Sequence, residues 1–163
     1  MTERPQARLR PLREDDIEAV ATFERDIAAI SFPDDPITDL AFYKKKVGKL
    51  IDDRNAATFV ADDGTGPVGW AYVSKRQNFI TKESYADFHS IFVHPSQRGS
   101  GTADRLAQAV FDYCRQQKLD RVVFRTRATN EPMKAVLARI GFIPTQIFYE
   151  KAIDLSDKKA GQD

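Results

Sequence analysis

Two glycines and an arginine mark a short segment with the properties of an anion-binding loop. Residues 93–103 leave a predicted strand at Val93, pass through Arg98, Gly99 and Gly101, and enter a predicted helix at Ala103. Glycine lets the backbone approach a phosphate closely, and the first N–H groups of a helix have no partner within it. The segment therefore predicts a phosphate or pyrophosphate site, although two glycines would equally suit a tight strand-to-helix turn.

The spacing within this loop excludes two common nucleotide-binding motifs. No G-x-x-x-x-G-K-[ST] sequence occurs in the chain, which removes the P-loop. The loop also lacks the third glycine of a dinucleotide-binding fingerprint and the acidic residue that ends the following strand. Neither motif explains the loop.

A histidine and an aspartate lie on the strand that precedes the loop. An unperturbed imidazole has a pKa of about 6.5 and accepts a proton near neutral pH. Asp87 and His89 are two residues apart on a strand, so we expect both side chains to point into one site. Simple alternation over 85–93 places Asp87, His89, Ile91 and Val93 on one face and Phe88, Ser90 and Phe92 on the other.

Hydrophobic periodicity and turn chemistry predict the elements that hold these residues. A strand at 7–12 is followed by a helix that starts after the acidic residues 14–16 and ends near residue 30, and by a second helix at 37–51. Strands at 57–61 and 68–74 flank a turn and form a hairpin, and further strands lie at 85–93 and 121–126. Helices occupy 103–117 and 131–140. Asn130 caps the last helix, Gly141 ends it, and an extended segment follows at 142–153.

Length and composition indicate one intracellular domain. The 163 residues suit a single domain over 1–163, with its core at 7–153 and a mobile polar tail at 155–163. The 25 Lys and Arg nearly balance the 24 Asp and Glu, so charge indicates neither nucleic acid nor a membrane as partner. The sequence contains no signal peptide and no membrane-spanning apolar run, which predicts a cytoplasmic protein. One Cys and two His make a poor ligand set, so we expect no metal site.

The loop and its neighbours resemble one protein family. Residues 93–106 read V-x-P-x-x-R-G-x-G-x-A-x-x-L, which closely resembles the acetyl-CoA-binding motif R-x-x-G-x-[GA] of the GNAT family of N-acetyltransferases, here Arg98, Gly101 and Ala103. The order of elements from 7 to 153 is similar to the family too, most specifically over 87–106 and 130–142. The resemblance implies an α/β (α+β) fold, with a central mixed, mostly antiparallel sheet in which two parallel strands splay apart, flanked by helices.

The same resemblance implies an activity and a set of cofactor contacts. The activity would be transfer of an acetyl group from acetyl-CoA, the acyl-donor co-substrate, to a primary amine by direct attack in a ternary complex, without a metal. In the family, loop amides hold the pyrophosphate, and the strand before the loop contacts the pantetheine arm. The positions that inherit cofactor contacts are Ile91, Phe92, Val93, Arg98, Gly99, Ser100, Gly101, Thr102, Ala103 and Asn130.

Proton transfer is expected at His89 and Asp87. An amine must lose a proton before it attacks, and family members often carry their base, or the residues that hold a base water, at these two offsets. The tyrosine that many members use to protonate the departing thiolate is replaced here by Leu137. Tyr149 and Tyr85 are the candidate substitutes, and the alternatives are unassisted departure of the thiolate or protonation by water.

The acceptor is expected to be either a small-molecule amine or a peptide or protein amine. Phe32, Asp34 and Asp35 could receive a cationic, partly apolar amine, although a proline-bounded loop with capping acids explains the same residues. Trp70 and Tyr72 are expected in the core rather than in a pocket wall. The missing tyrosine also favours a second class of function, a non-catalytic acyl-CoA sensor, and an enzyme that uses a longer acyl-CoA is a third. The resemblance further implies a homodimer.

Overall fold

The computed structural model of the protein describes residues 6–156. In chain order the elements are β1 (Arg8–Arg10), α1 (Ile17–Ser31), α2 (Leu40–Gly48), β2 (Ala56–Asp62), β3 (Pro67–Gln77), β4 (Ser84–Val93), α3 (Thr102–Gln116), β5 (Val122–Phe124) and α4 (Glu131–Arg139). The tail expected at 155–163 lies outside the described residues from position 157 onward.

The strands form one mixed sheet in the order β1-β2-β3-β4-β5. The first three pairings are antiparallel, and β4 and β5 run parallel. The parallel pair is short, because β5 meets only residues 86–88 of β4. Within residues 6–156 the rest of β4 has no partner on that side. The mixed, mostly antiparallel sheet with two diverging parallel strands is therefore confirmed.

Helices cover the two faces of this sheet with separate apolar clusters. On one face, Leu106 and Val110 of α3 pack with Phe88 of β4. On the other face, Val20 of α1 packs with the fully buried Trp70 of β3. Burying these side chains removes apolar surface from water, which is the main force that holds helices on a sheet. The sheet is thus a fixed platform, with α3 on one side and α1 and α2 on the other.

A bulge interrupts the pairing of β3 with β4. The register shifts by one residue between Tyr72 and Val73, because Tyr72 pairs with Ser90 whereas Val73 pairs with Phe88. His89 is therefore the extra residue on β4. An inserted residue exchanges the two faces of the strand beyond it, because side chains alternate with a period of two.

Because of this bulge, part of the expected assignment of β4 side chains to the two faces of the sheet is wrong. Asp87 and His89 do lie together, with His89 Nε2 3.8 Å from Asp87 Oδ2. Ile91 and Val93, however, pack in the cluster on the α3 side of the sheet, and Phe92 packs on the side of α1. Ser90 pairs with Tyr72, on whose ring His89 stacks, so Ser90 is on the His89 face and not on the opposite one. Simple alternation does not account for an inserted residue, so the assignment is wrong from Ser90 onward.

Several boundaries differ from the expected ones for identifiable reasons. The helix expected from residue 37 begins at Leu40, because the Asp39 side chain accepts a hydrogen bond from the Ala41 N–H at 3.0 Å and so caps the helix there. β1 and β5 contain three residues each and are shorter than expected. Gly141 follows α4 with a φ of 98°, the left-handed conformation expected just past a helix end. Residues 142–153 form no strand within the described part of the chain.

A partly buried ion-pair cluster connects the first strand to the rest of the sheet. Arg10 Nη1 lies 2.6 Å from Asp16 Oδ2, and Arg10 Nη2 lies 2.7 Å from Asp62 Oδ2. Burial would raise the pKa of Asp16, but hydrogen bonds from the Arg10 side chain and the Arg13 backbone outweigh burial and lower it. The cluster connects β1, the start of α1 and the end of β2.

Residues 6–156 contain neither a candidate membrane-spanning helix nor a candidate metal site. No helix in that range is both long and apolar enough to cross a membrane. Nor does any group of three or more His, Cys, Asp or Glu side chains there have an arrangement that could hold a metal ion. Cys114 is a free, buried thiol, and burial raises its pKa.

Candidate active site

The loop between β4 and α3 is held in place by its own hydrogen bonds. The His94 N–H donates to the Val68 carbonyl at 2.8 Å, which fixes the start of the loop to β3. Pro95–Gln97 form one turn of 3-10 helix, and the Ser100 N–H donates to the Gln97 carbonyl at 3.2 Å. These backbone hydrogen bonds therefore fix the conformation of the loop.

Two left-handed glycines give this loop its path. Gly99 and Gly101 have φ values of 76° and 80°. A β-carbon added at either position would meet nothing within 4 Å, so glycine is needed here for backbone conformation, and the space beside the loop is open. The buried Thr102 opens α3, and its hydroxyl hydrogen-bonds to Ser100 Oγ at 2.7 Å. The side chains of Ser100 and Thr102 therefore brace the loop.

Unpaired N–H groups gather at the start of α3. Within residues 6–156, the backbone N–H groups of Gly99, Gly101, Ala103 and Asp104 donate to no other group. The last two lie in the first helical turn, where helix geometry leaves N–H groups without a partner. Arg98 is exposed beside them. A helix N-terminus, free N–H groups and a guanidinium together favour a phosphate-bearing anion.

The second half of β4 offers free backbone groups next to this loop. The His94 N–H points to β3, and successive N–H groups of a strand point to opposite sides, so those of Ile91 and Val93 point away from β3. Since β5 stops pairing at Phe88, no strand within residues 6–156 meets them. Phe92 differs, because its backbone faces β3 and its ring stacks on Phe23 with centroids 4.5 Å apart.

His89 lies partly buried on the bulge and is held from two directions. Its Nε2 is 2.5 Å from Ser74 Oγ, and its ring stacks on Tyr72 with centroids 4.8 Å apart and planes 12° from parallel. Burial lowers the pKa of His89, and the nearby Asp87 carboxylate only partly offsets this effect. The imidazole is therefore neutral at neutral pH and has one ring nitrogen free of Ser74.

Asp87 is almost completely buried and its charge is already compensated. Arg125 Nη1 lies 3.0 Å from Asp87 Oδ1, and Arg76 Nε lies 3.4 Å from Asp87 Oδ2. The two guanidiniums occupy lone pairs of this carboxylate. Asp87 is thus better arranged to orient and polarise the neighbouring His89 than to accept a proton itself.

A buried polar pair supports the wall behind His89. Glu24 of α1 accepts a hydrogen bond from Trp70 Nε1 at 2.8 Å, and Lys46 of α2 lies 3.4 Å from the same carboxylate. Burial, together with the Glu24 and Asp87 carboxylates, raises the pKa of Tyr72, so this phenol stays protonated. Trp70 and Tyr72 are core residues, as expected, although Tyr72 also forms the surface on which His89 stacks.

The structure does not bring the remaining predicted residues to His89. Asn130 caps α4 by accepting a hydrogen bond from the Met133 N–H at 3.2 Å. Tyr149 is 85% exposed on the segment after α4. Tyr85 lies at the start of β4, with the Arg121 guanidinium 5.2 Å from its ring centroid. Within residues 6–156 neither tyrosine hydrogen-bonds to His89 or stacks on its ring, whose partners are Ser74 and Tyr72.

The connection from α1 to α2 carries the residues expected to meet the acceptor. Phe32, Asp34 and Asp35 are all exposed. The Arg127 side chain hydrogen-bonds to the Ser31 carbonyl, which ties the start of this connection to the segment between β5 and α4. The three side chains are therefore exposed to solvent near the β5 side of the sheet.

Sequence reasoning missed the residues that control His89 and Asp87. Ser74, Arg76 and Arg125 were not predicted, yet they supply the hydrogen bond to the imidazole and both guanidiniums on the carboxylate. Ser74 and Arg76 are two residues apart near the end of β3, so a shared face was available as a signal. Their position opposite His89 depends on the bulge and could not be read from the sequence.

Solved structures of acetyltransferases share this fold. The aminoglycoside N-acetyltransferase AAC(6')-Iy in complex with CoA aligns with a TM-score of 0.74 at 21% identity, over 94% of this chain and 100% of that one. The aminoglycoside 6'-N-acetyltransferase AAC(6')-Ih from Acinetobacter baumannii gives 0.71 at 20%, over 90% and 99%. A ribosomal-protein-alanine N-acetyltransferase from Brucella melitensis biovar Abortus 2308 gives 0.67 at 18%, over 90% and 99%.

Sequence comparison defines the family. A comparison with curated protein sequences found no match. The model of the Acetyltransferase (GNAT) family matches residues 17–142, from the start of α1 to just past α4. That range contains the bulged β4, the glycine loop and α3, and it covers more than half of the 163 residues. The chain therefore belongs to the GNAT family of acetyltransferases.

Proposed function

We propose that this protein transfers an acetyl group from acetyl-CoA to a primary amine, by direct attack of the amine in a ternary complex. The observation that carries the proposal is the group of unpaired N–H groups at the start of α3, which adjoins the open edge of β4 beyond His89. Membership of the GNAT family supports the reaction class.

The residues at the loop fit the pyrophosphate of acetyl-CoA. The N–H groups of Gly99, Gly101, Ala103 and Asp104 are free to donate to phosphate oxygens, and Arg98 adds a positive charge. Ser100 and Thr102 contribute by bracing the loop through their hydroxyls.

The open edge of β4 fits the pantetheine arm. The backbone groups of Ile91 and Val93 can pair with the amides of that arm as a neighbouring strand would. The Val93 N–H is also suited to stabilise negative charge on the thioester oxygen during the reaction. Phe92 supports this edge by its stack on Phe23, and the Asn130 side chain keeps its NH2 group free for a cofactor contact while its oxygen caps α4. Acetyl-CoA itself supplies the activated acyl group.

His89 is assigned as the base. An ammonium must lose a proton before its nitrogen can attack, and a neutral imidazole accepts one. The Ser74 hydroxyl and the Tyr72 ring fix the orientation of His89, and Asp87 stabilises the imidazolium that forms. The proton passes from the amine, directly or through one water, to the ring nitrogen that does not contact Ser74. Because neither Tyr85 nor Tyr149 contacts His89, water is assigned as the proton source for the thiolate.

The acceptor is assigned as an amine, with a small-molecule amine first and a peptide amine second. The names of the similar structures include aminoglycoside acetyltransferases and a ribosomal-protein-alanine acetyltransferase, so proteins with this fold serve both acceptor classes. The exposed Phe32, Asp34 and Asp35 offer one apolar ring and two carboxylates, which suit a cationic amine.

Free-thiol release tests the proposal. The protein would be incubated with acetyl-CoA and a panel of aminoglycosides, polyamines and peptides, and binding of acetyl-CoA would be followed separately by calorimetry. We expect saturable binding and amine-dependent release of the thiol. Absence of binding would refute the assigned cofactor site. Propionyl-CoA and succinyl-CoA in the same assay determine the acyl preference.

A non-catalytic acyl-CoA sensor is the competing function, and Leu137 favours it because no tyrosine stands at that position. The sensor predicts tight binding of acetyl-CoA without turnover of any amine in the panel. The arrangement of His89 with Ser74 and Asp87 favours the enzyme, because a sensor has no need of an oriented proton acceptor.

A further inference from the structure

Two arginines share one carboxylate beside His89. Arg76 Nε, on β3, lies 3.4 Å from Asp87 Oδ2, and Arg125 Nη1, just past β5, lies 3.0 Å from Asp87 Oδ1. The carboxylate contributes one negative charge against two positive charges, so the group carries a net positive charge next to the imidazole. A cleft lined by one sign of charge concentrates ligands of the opposite sign.

Most donors of these two arginines are free and accessible. A guanidinium has five N–H donors in a planar fork. Within residues 6–156, the only ion-pair or hydrogen-bond partner of either guanidinium is Asp87. The side chains of Arg76 and Arg125 are 55% and 71% exposed, whereas that of Asp87 is 9% exposed. Asp87 therefore anchors both guanidiniums from the protein side, and their remaining N–H groups are available to a ligand.

The two arginines flank the place where an acceptor amine would meet His89. The last pair of the parallel ladder joins Phe88 of β4 to Phe124 of β5. His89 and Arg125 are therefore the first residues after that pair on the two strands, at the point where the strands separate. Arg76 reaches the same carboxylate from β3, on the other side of β4. A small molecule at the imidazole thus has a guanidinium from each neighbouring strand within reach.

The other charged groups on this side of the sheet do not cancel the excess. Lys46 lies 3.4 Å from the Glu24 carboxylate, so these two charges balance each other. Arg127 hydrogen-bonds to a backbone carbonyl, which does not offset its charge. Within residues 6–156, Asp34 and Asp35 form no ion pair with either of the two arginines. Both carboxylates stay available to a cationic group of the acceptor.

We propose that the acceptor is an amine that also carries a carboxylate, and that Arg76 and Arg125 bind this carboxylate while the amine faces His89. The inference rests on the proposed acetyl transfer and names the class of its acceptor. A guanidinium holds carboxylates through parallel N–H donors, and these two already hold that of Asp87. A second carboxylate on their free donors balances the surplus charge, which an amine without an anionic group would leave unpaired.

The bonds that form and break are those of the proposed reaction. The amine nitrogen forms a bond to the acetyl carbon, the carbon–sulfur bond of acetyl-CoA breaks, the proton of the amine passes to His89, and CoA leaves as the thiolate. Amino acids are the smallest molecules that combine a primary amine with a carboxylate. The site therefore predicts an N-acetylated amino acid as the product.

Matched acceptors test this class. The common L-amino acids, β-alanine and γ-aminobutyrate, each paired with its own amide, would be compared by release of the CoA thiol. The amide keeps the amine and the size but loses the negative charge. We expect at least one amino acid to have a kcat/KM about tenfold or more above that of its amide. Acetylation of amides or aminoglycosides without preference for any amino acid would overturn the carboxylate site and leave the proposed acetyl transfer standing.

A matched pair of variants locates the carboxylate. Arg125→Gln removes one positive charge, so the ratio of kcat/KM for the amino acid to that for its amide should fall about tenfold, and Arg125→Lys should keep most of the preference. Arg121→Gln makes the same change at the other end of β5, where the guanidinium lies 5.2 Å from the Tyr85 ring centroid, and should change the ratio less than about twofold. A loss of kcat common to both substrates cancels in this ratio. An unchanged ratio in Arg125→Gln would contradict the site.

Calorimetry separates this inference from the proposed reaction. Each amino acid and its amide would be titrated into the full chain saturated with CoA. Binding of an amino acid that is lost with its amide and in Arg125→Gln supports the carboxylate site even when no product forms, and the proposed reaction alone then fails. Absence of any preference for an amino acid over its amide, in binding and in turnover, overturns the carboxylate site.

Discussion

The variant His89→Gln distinguishes a role of His89 as a proton acceptor from a role in packing alone. Glutamine can still hydrogen-bond to the Ser74 hydroxyl, which lies 2.5 Å from His89 Nε2, but it has no titratable nitrogen. A positioned base contributes about 10² to 10⁴ in rate, which corresponds to about 2.7 to 5.4 kcal/mol of barrier. We therefore expect His89→Gln to lower kcat at least about 100-fold. Affinity for acetyl-CoA should stay unchanged, because His89 packs on Tyr72, on the opposite face of the sheet from α3.

The pH profile of the same variant shows whether the lost group is a base. Burial lowers the pKa of His89 from 6.5, so the folded protein keeps the imidazole neutral as the pH falls through that value. The acidic limb of kcat/KM should consequently lie below pH 6.5 in the wild type and vanish in His89→Gln. Steady-state thiol release across pH, with acetyl-CoA binding measured by calorimetry, provides both readouts. An unchanged acidic limb in the variant, or a fall in kcat of less than about tenfold, would refute the role of His89.

Three further predictions concern the loop and the buried polar groups. Gly101→Ala forces an alanine into the left-handed conformation at a cost of about 1 to 2 kcal/mol. Its affinity for acetyl-CoA, measured by calorimetry, should fall about tenfold. Gly64→Ala is the control: its φ is 96° in the β2–β3 turn, so it should lose similar stability and keep the affinity for acetyl-CoA. Glu24→Leu leaves the buried Trp70 N–H without an acceptor and should cost about 1 to 3 kcal/mol in denaturant unfolding, with Glu24→Gln costing less. Asp16→Asn should destabilise by about 1 to 3 kcal/mol at neutral pH, because Arg10 keeps its ion pair with Asp62. Because the pKa of Asp16 is lowered, that difference should shrink as the pH falls below 3.8.

The conformation of the loop at 93–103 could be predicted from sequence because its determinants are local. Glycine at 99 and 101 is needed for two left-handed residues, and such needs follow directly from residue type and spacing. The same holds for Asn130 as a helix cap and for the approximate positions of the long helices. Apolar residues at helical spacing identify α3, whose inner face includes Leu106 and Val110.

The residues that surround His89 could not be predicted, because they are brought together by contacts between segments that are distant in the sequence. One inserted residue in β4 decides which side chains share a face with His89, and it arises from pairing with β3 rather than from local preference. Ser74 and Arg125 reach the site from two different strands or their ends, 15 and 38 residues from their partners in the sequence. The segment at 142–153 shows the opposite case: its strand pattern is clear, but the described chain gives it no partner to pair with.

The most direct test of acetyl transfer at this site is mass spectrometry of the amines after incubation with acetyl-CoA. Wild-type protein should produce at least one acetylated amine, with CoA released in equal amount, and His89→Gln should produce far less under the same conditions. Acetyl-CoA binding without any acetylated amine would contradict the assignment as an enzyme. Product formed equally well by both proteins would contradict the assigned site.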